Sequence, residues 1–208
     1  MSKGEETKSK ILHQAAALFN TRGYAGASIS DIMRVTGLKK GGIYNHFQSK
    51  DELALQAFDY AVGLIKQRYR GALQNKRHAV ERLQGIISVF QANIDNPAIE
   101  GGCPLLNTAV ESDDAHPVLR KRAQVVMNDW RDMVCKVIQK GIARGEIRPD
   151  VNPDEVATVM ITLLEGAVMM SKLYDDAIHL ERAIKHLNNY IKVELQAFPG
   201  AQSLAGNP

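Results

Sequence analysis

The sequence predicts an all-α protein of about nine helices: a three-helix head at the N-terminus, then a larger helical bundle. Three observations carry this. Apolar residues recur at helical spacing in almost every segment, and no segment alternates apolar with polar over a strand's length. Helix-start and helix-stop residues flank most of those segments. The 208-residue length and 45% hydrophobic content suit one or two small domains with a real core.

The first helix carries its stripe on Ile11, Leu12, Ala15, Ala16, Leu18 and Phe19, and Gly23 stops it. Ser28 opens the second, with Asp31 placed to complete a capping box, and Gly37 ends it. A short segment, Lys40 to Phe47, follows, with a helix of about seven residues. Ser49 and Glu52 form the start signal of a long helix whose stripe is Leu53, Ala57, Phe58, Ala61, Val62 and Ile65. The next helix runs from Ala79 to Ile94 and stops at Asn96-Pro97. A shorter one begins at Cys103-Pro104, and a long one from Pro117 to Ala143 ends at Gly145. Asn152-Pro153-Asp154-Glu155 is a cap, a first-turn proline and two acids on the positive helix end. That helix reaches about Tyr174, and the last runs from about Ile178 to Ala197. Functionally the chain divides into 1–50, 51–198 and a frayed tail, 199–208.

Charge is informative once divided. The whole chain has 26 basic and 23 acidic side chains. Residues 1–50 hold eight of the basic and three of the acidic ones, a net +5, and the remainder is −2. A basic head on a mildly acidic body points to a polyanionic partner for the head. No run approaches the ~18 apolar residues of a membrane span, since Glu165 ends the richest stretch. No secretion signal opens the chain, and two cysteines are too few for a disulfide scaffold, so a cytoplasmic protein fits. The six histidines lack metal-ligand spacing, and there is no phosphate-cradling loop or nucleophile elbow. Neither an enzyme nor a cofactor is expected. Glu111, Asp113 and Asp114 read as helix-end solvation and capping.

The stretch SISDIMRVTGLKKGGIYNHFQSKDEL has the layout of a helix-turn-helix, two short helices around a tight turn at Gly37. A helix of seven residues is not stable alone, so Ile43 and Phe47 must hold it against its neighbours. Lys40, Gly41, Tyr44 and Asn45 then lie outward. Gly41 and Gly42 each cost about 1 kcal/mol in a helix, which close approach to a DNA backbone would offset. Tyr44 and His46 suit phosphate, Lys40 suits guanine and Asn45 suits adenine. Lys50, at a helix start, suits phosphate.

Residues 7–53 resemble the DNA-binding domain of the TetR family of bacterial regulators. The resemblance rests on Ala15 to Phe19, Gly23-Tyr24, Ser28-Ile29, Asp31-Ile32, Gly37-Leu38, Lys40-Gly41, Ile43-Tyr44, His46-Phe47 and Ser49-Lys50. It implies that Ser28, Ser30, Lys40, Gly41, Gly42, Tyr44, Asn45, His46 and Lys50 meet double-stranded DNA. Two departures are Lys39, where many members have serine, and Gly42, where many have threonine. Lys39 adds a charge at the turn, and Gly42 removes a side-chain contact.

The resemblance also implies a homodimer built by the last two helices. Val156, Val159, Leu163, Ala167 and Met170, with Ile184, Leu187, Ile191 and Leu195, are the candidate interface. Two heads would sit roughly 34 Å apart to reach successive major grooves of a twofold-symmetric operator. The body would hold a small-molecule effector, with Phe58, Phe90, Leu106, Asn107, Trp130, Glu165 and Met169 as candidate lining residues. Cys103, at a helix start that favours thiolate, is either a reactive sensor or a small packed residue before a proline; Cys135 reads as inert. The function expected is a DNA-binding transcriptional regulator, most simply a repressor released by an effector or a thiol-reactive signal. Two alternatives stay open: a non-specific DNA organiser, and a helical ligand-binding protein whose head meets another protein.

Overall fold

The computed structural model describes residues 2–197, apart from the side chains at 94 and 95; the tail expected at 199–208 lies outside the described residues. Nine α-helices form among them: α1 Lys3–Gly26, α2 Ile29–Thr36, α3 Lys40–Tyr44, α4 Lys50–Leu73, α5 Ala79–Asp95, α6 Pro104–Ser112, α7 Pro117–Ala143, α8 Pro153–Tyr174 and α9 Ile178–Tyr190. A π-helical turn, Ile191–Leu195, ends the series. The only strand-like pairing among the described residues is one isolated bridge, Ile147 with Gln196.

The chain divides into two compact units. One comprises Met1–Arg68 with Asp95–Asn128, the other Tyr69–Ile94 with Asp129–Pro208. The unit that contains the head thus also takes in most of α4, all of α6 and the start of α7.

In the first unit the caps act as the sequence indicates. Ser28 Oγ accepts the Asp31 amide at 3.1 Å, and Asp31 Oδ2 accepts the Ser28 amide at 3.0 Å. Gly37 closes α2 in the left-handed region, φ 72°, and its amide returns to Met33 O. Gly23 breaks α1, with φ 75° and ψ 168°, although helical hydrogen bonding resumes to Gly26. Two local expectations change. The segment after the turn at Gly37 is helical for five residues rather than seven, because the chain turns at Asn45 and His46 so that Phe47 can enter the core. Ser49 Oγ does accept the Glu52 amide at 3.1 Å, but the Glu52 carboxylate returns to Gln48 N at 2.6 Å, one residue earlier than a standard box. The core of this unit joins Ile11, Ala15 and Leu18 of α1 to Ile32, Ile43, Phe47, Leu53, Ala57 and Ile99.

In the second unit α8 packs on α9. Asn152 Oδ1 caps α8 by accepting the amides of Asp154 and Glu155. Ala157, Met160, Leu164, Leu187, Ile191 and Leu195 are buried. The last turn widens to π geometry, so α9 ends at Tyr190 rather than near Ala197. Ile147 is buried there, beside hydrogen bonds from Arg148 N to Leu195 O and from Ala197 N to Glu146 O. By length and composition α8 is apolar enough to cross a membrane, with a mean hydropathy of 1.5 over eighteen residues. This corrects the expectation that no segment is: the average tolerates Glu165, which interrupts the run.

Candidate nucleic-acid interface

The site starts from two buried side chains. Ile43 and Phe47 are 1% and 2% exposed, one inside α3 and one just past it. Burying each is worth roughly 1.5–3 kcal/mol, enough to hold a helix too short to stand alone. Their burial turns Lys40, Gly41, Tyr44 and Asn45 outward, as the sequence indicates. Lys39, Ser28 and Ser30 are also exposed, while Gly42, His46 and Lys50 are half-buried.

Among the described residues nothing requires glycine at 41. A Cβ there would meet no atom within 4 Å, and at 42 it would make only ordinary contact with Leu38. Neither residue has positive φ. Two glycines in one short helix therefore leave a smooth, backbone-exposing surface that intramolecular packing does not explain.

The polar groups are arranged rather than loose. The Lys40 ammonium lies 5.7 Å from the centre of the Tyr44 ring. Ser28 Oγ also donates to Asp31 Oδ2 at 2.6 Å, so its hydroxyl is engaged as a cap. Those Ser28 hydrogen bonds hold the Asp31 carboxyl below its ordinary range, with Arg34 and Arg22 adding to the effect. Lys50 Nζ donates to Tyr24 O at 2.6 Å and lies 4.1 Å from the Tyr24 ring centre. An ammonium has three donors, so that bond uses one of them. Tyr24 was not among the expected site residues; it holds Lys50 across 26 positions, a distance no local pattern reveals.

The remaining candidates fall into two groups. Phe58 lines a cleft of about 40 Å³ in the first unit, with Tyr24, Thr108, Glu111, Ser112 and His116 among the other walls. That volume suits two or three waters, not an effector. Leu106 is half-buried and is not in its wall. Asn107 donates to the backbone carbonyls of Asn20 at 3.1 Å and Gly101 at 2.9 Å, so its amide ties two backbone segments together. Cys103 stands half-buried at the N-cap of α6. In the second unit, Phe90 and Trp130 stack at 5.5 Å, and the buried Trp130 Nε1 has no partner among the described residues. Glu165 is buried and Met169 is 54% exposed, so Met169 lines no interior pocket of the single chain. Burial, together with a nearby Asp154, pushes the Cys135 thiol up, which agrees with an inert residue.

Several candidate interface residues are core instead. Val156, Ala167, Leu187, Ile191 and Leu195 are buried within the single chain, because α8 and α9 use that side against each other and their own unit. Val159 and Met170 are exposed, and Leu163 and Ile184 are half-buried. The accessible apolar face also includes Leu173 and Tyr174, which the sequence reading left out.

A short, glycine-smoothed helix presented by a capped helix and a left-handed turn defines a helix-turn-helix DNA-binding protein. Comparison with known proteins gives the family. The model for bacterial regulatory proteins of the tetR family matches residues 11–57, and that for the tetracyclin repressor-like C-terminal domain matches 79–187. The chain is 25% identical over 200 residues to the HTH-type transcriptional repressor DhaR of Mycobacterium sp. strain GP1, covering 95% of this chain and 96% of that one. It is 47% identical to a TetR transcriptional regulator of Chloroflexus aurantiacus of known crystal structure, with a TM-score of 0.92 and coverage of 95% and 100%. A regulator from Saccharomonospora viridis solved in complex with choline is 25% identical, with a TM-score of 0.79 and coverage of 93% and 100%. The chain belongs to the TetR family, and it is a DNA-binding transcriptional regulator.

Proposed function

We propose that the protein is a homodimeric repressor whose two heads bind a twofold-symmetric operator and whose body takes a small-molecule effector that lowers operator affinity. The observation that carries this is the outward face of α3, set on buried Ile43 and Phe47. Lys40 and Asn45 read bases; Tyr44, His46, Lys39 and Lys50 meet phosphate; Gly41 and Gly42 let the backbones approach, with Ser28 and Ser30 at the flank. Two copies join through the exposed face of α8, where Val159, Met170, Leu173 and Tyr174 lie, with half-buried Leu163 on the same helix and half-buried Ile184 of α9. The choline complex of a relative supports a small-molecule site in this fold. The cytoplasm is the compartment where such a regulator works. Effector coupling of a typical 1–3 kcal/mol would change operator affinity about 5- to 150-fold.

The test is fluorescence anisotropy with duplex from the gene's own upstream region against random duplex, across a salt series. We expect selective binding that weakens as salt rises. Tyr44→Ala should lose roughly tenfold or more in affinity with little change in melting temperature, since the ring is half out of the fold. Equal affinity for both duplexes would overturn the repressor reading in favour of a DNA organiser.

A further inference from the structure

The head is gripped by residues more than eighty positions away. Gly23 breaks α1, and the two amides that follow take acceptors from α6: Tyr24 N donates to Glu111 Oε2 at 2.7 Å and Ala25 N to Glu111 Oε1 at 2.9 Å. The approach is close enough that a Cβ at Gly23 would lie 2.5 Å from Glu111 Oε1. A carboxylate that only solvated a helix end would need neither contact, so the helix-end role expected for Glu111 is replaced.

A second grip comes from the residue before α7. The His116 ring meets the Tyr24 ring edge-on, with centres 4.6 Å apart. Its Nδ1 accepts the Leu119 amide at 3.2 Å, so the neutral ring carries its proton on Nε2, which lies 3.7 Å from Asp51 Oδ1. The same carboxylate accepts the Tyr24 hydroxyl. Tyr24 in turn holds the Lys50 ammonium through its carbonyl and its ring. A connected set of contacts therefore runs from Glu111 and His116, through Tyr24 and Asp51, to a lysine at the start of α4.

We propose that Glu111 and His116 are positioning residues for DNA binding, acting through Tyr24 to hold the Lys50 ammonium where a phosphate meets it. The proposal rests on the reading of Lys50 as a phosphate contact. The physical gain is preorganisation: a lysine on a flexible four-carbon stem otherwise loses side-chain freedom when it binds. Tethering one of its three donors to Tyr24 O places the other two in advance.

A double-mutant cycle on DNA affinity separates positioning from mere stabilisation. The full-length protein and its Glu111→Ala, Glu111→Gln, His116→Phe and Lys50→Ala variants are titrated with the upstream duplex, and melting curves check folding. Glu111→Ala should weaken binding about tenfold in the native background and less than about twofold in the Lys50→Ala background. Glu111→Gln keeps one acceptor oxygen and should show the same coupling with a smaller loss. His116→Phe keeps the ring on Tyr24 but removes the Asp51 contact, and should lose about threefold, again only while Lys50 is present. Additive losses in the two backgrounds, or none from either glutamate variant, would overturn the positioning role. A Lys50→Ala variant that binds as tightly as the native protein would instead overturn the phosphate contact on which the proposal depends.

Discussion

α3 and α8 expose opposite kinds of surface for opposite reasons. α3 is five residues long and cannot fold alone, yet its outward groups are polar and its buried neighbours, Ile43 and Phe47, are nearly inaccessible. α8 is twenty-two residues long and well capped, yet it leaves Val159, Met169, Met170, Leu173 and Tyr174 exposed. The polar surface of α3 is completed by side chains of the chain itself. The apolar surface of α8 stays open in the single chain, the kind of patch that marks a contact face. Local helical stability therefore does not decide which surface is complete: the shorter helix carries the more finished one.

The largest effect is expected from removing the anchor of the short helix. Phe47→Ala should destabilise the head by about 3–5 kcal/mol, measured by denaturant unfolding, because the ring is buried and leaves a cavity. Leu173→Ala, on the exposed face of α8, should change single-chain stability by less than about 0.5 kcal/mol. Equal costs would mean that Leu173 is packed in solution as tightly as Phe47.

Next in size is the outward face of α8 itself. Replacing Met170 and Leu173 by lysine should shift the protein toward monomer in sedimentation velocity at micromolar concentration, and operator affinity should fall with it. A double variant that stays fully dimeric would move the interface elsewhere.

The smallest effect sharpens the head's polar side. The Tyr24 hydroxyl, joined by His116 and Lys50, holds Asp51 below the usual carboxylate range; burial first, then the Asp51 hydrogen bond, pushes Tyr24 up to about 12. A depressed acid stabilises the fold above its unfolded pKa, near about 3.9, and that contribution is lost as pH falls through the lower folded value. The denaturation midpoint of the native protein should therefore fall more steeply below about pH 4 than that of Asp51→Asn. Parallel curves would mean that the hydrogen bond does not persist in solution.

Much of this molecule was legible in its residue order. Caps at Ser28 and Asn152, stops at Gly37 and Gly145, and the burial of Ile43 and Phe47 are decided by neighbours a few residues apart, and each stands as read. The face of α3 followed, because a helix with two anchored residues has only one side left. What the sequence could not rank was one apolar residue against another. Leu187 and Ile191 look no different in periodicity from Val159 and Met170, yet the first pair is core and the second is surface. Helical period says that a residue faces an apolar neighbour, not whether that neighbour belongs to the same chain. Nor could it join Glu111 to Gly23 or Tyr24 to Lys50, since a hydrogen bond between distant segments leaves no local pattern. Short-range chemistry, which sequence spacing encodes, determined the elements and the outward face of α3. Long-range packing, which only the folded chain sets, decided which apolar faces stay open and which side chains hold the head in place.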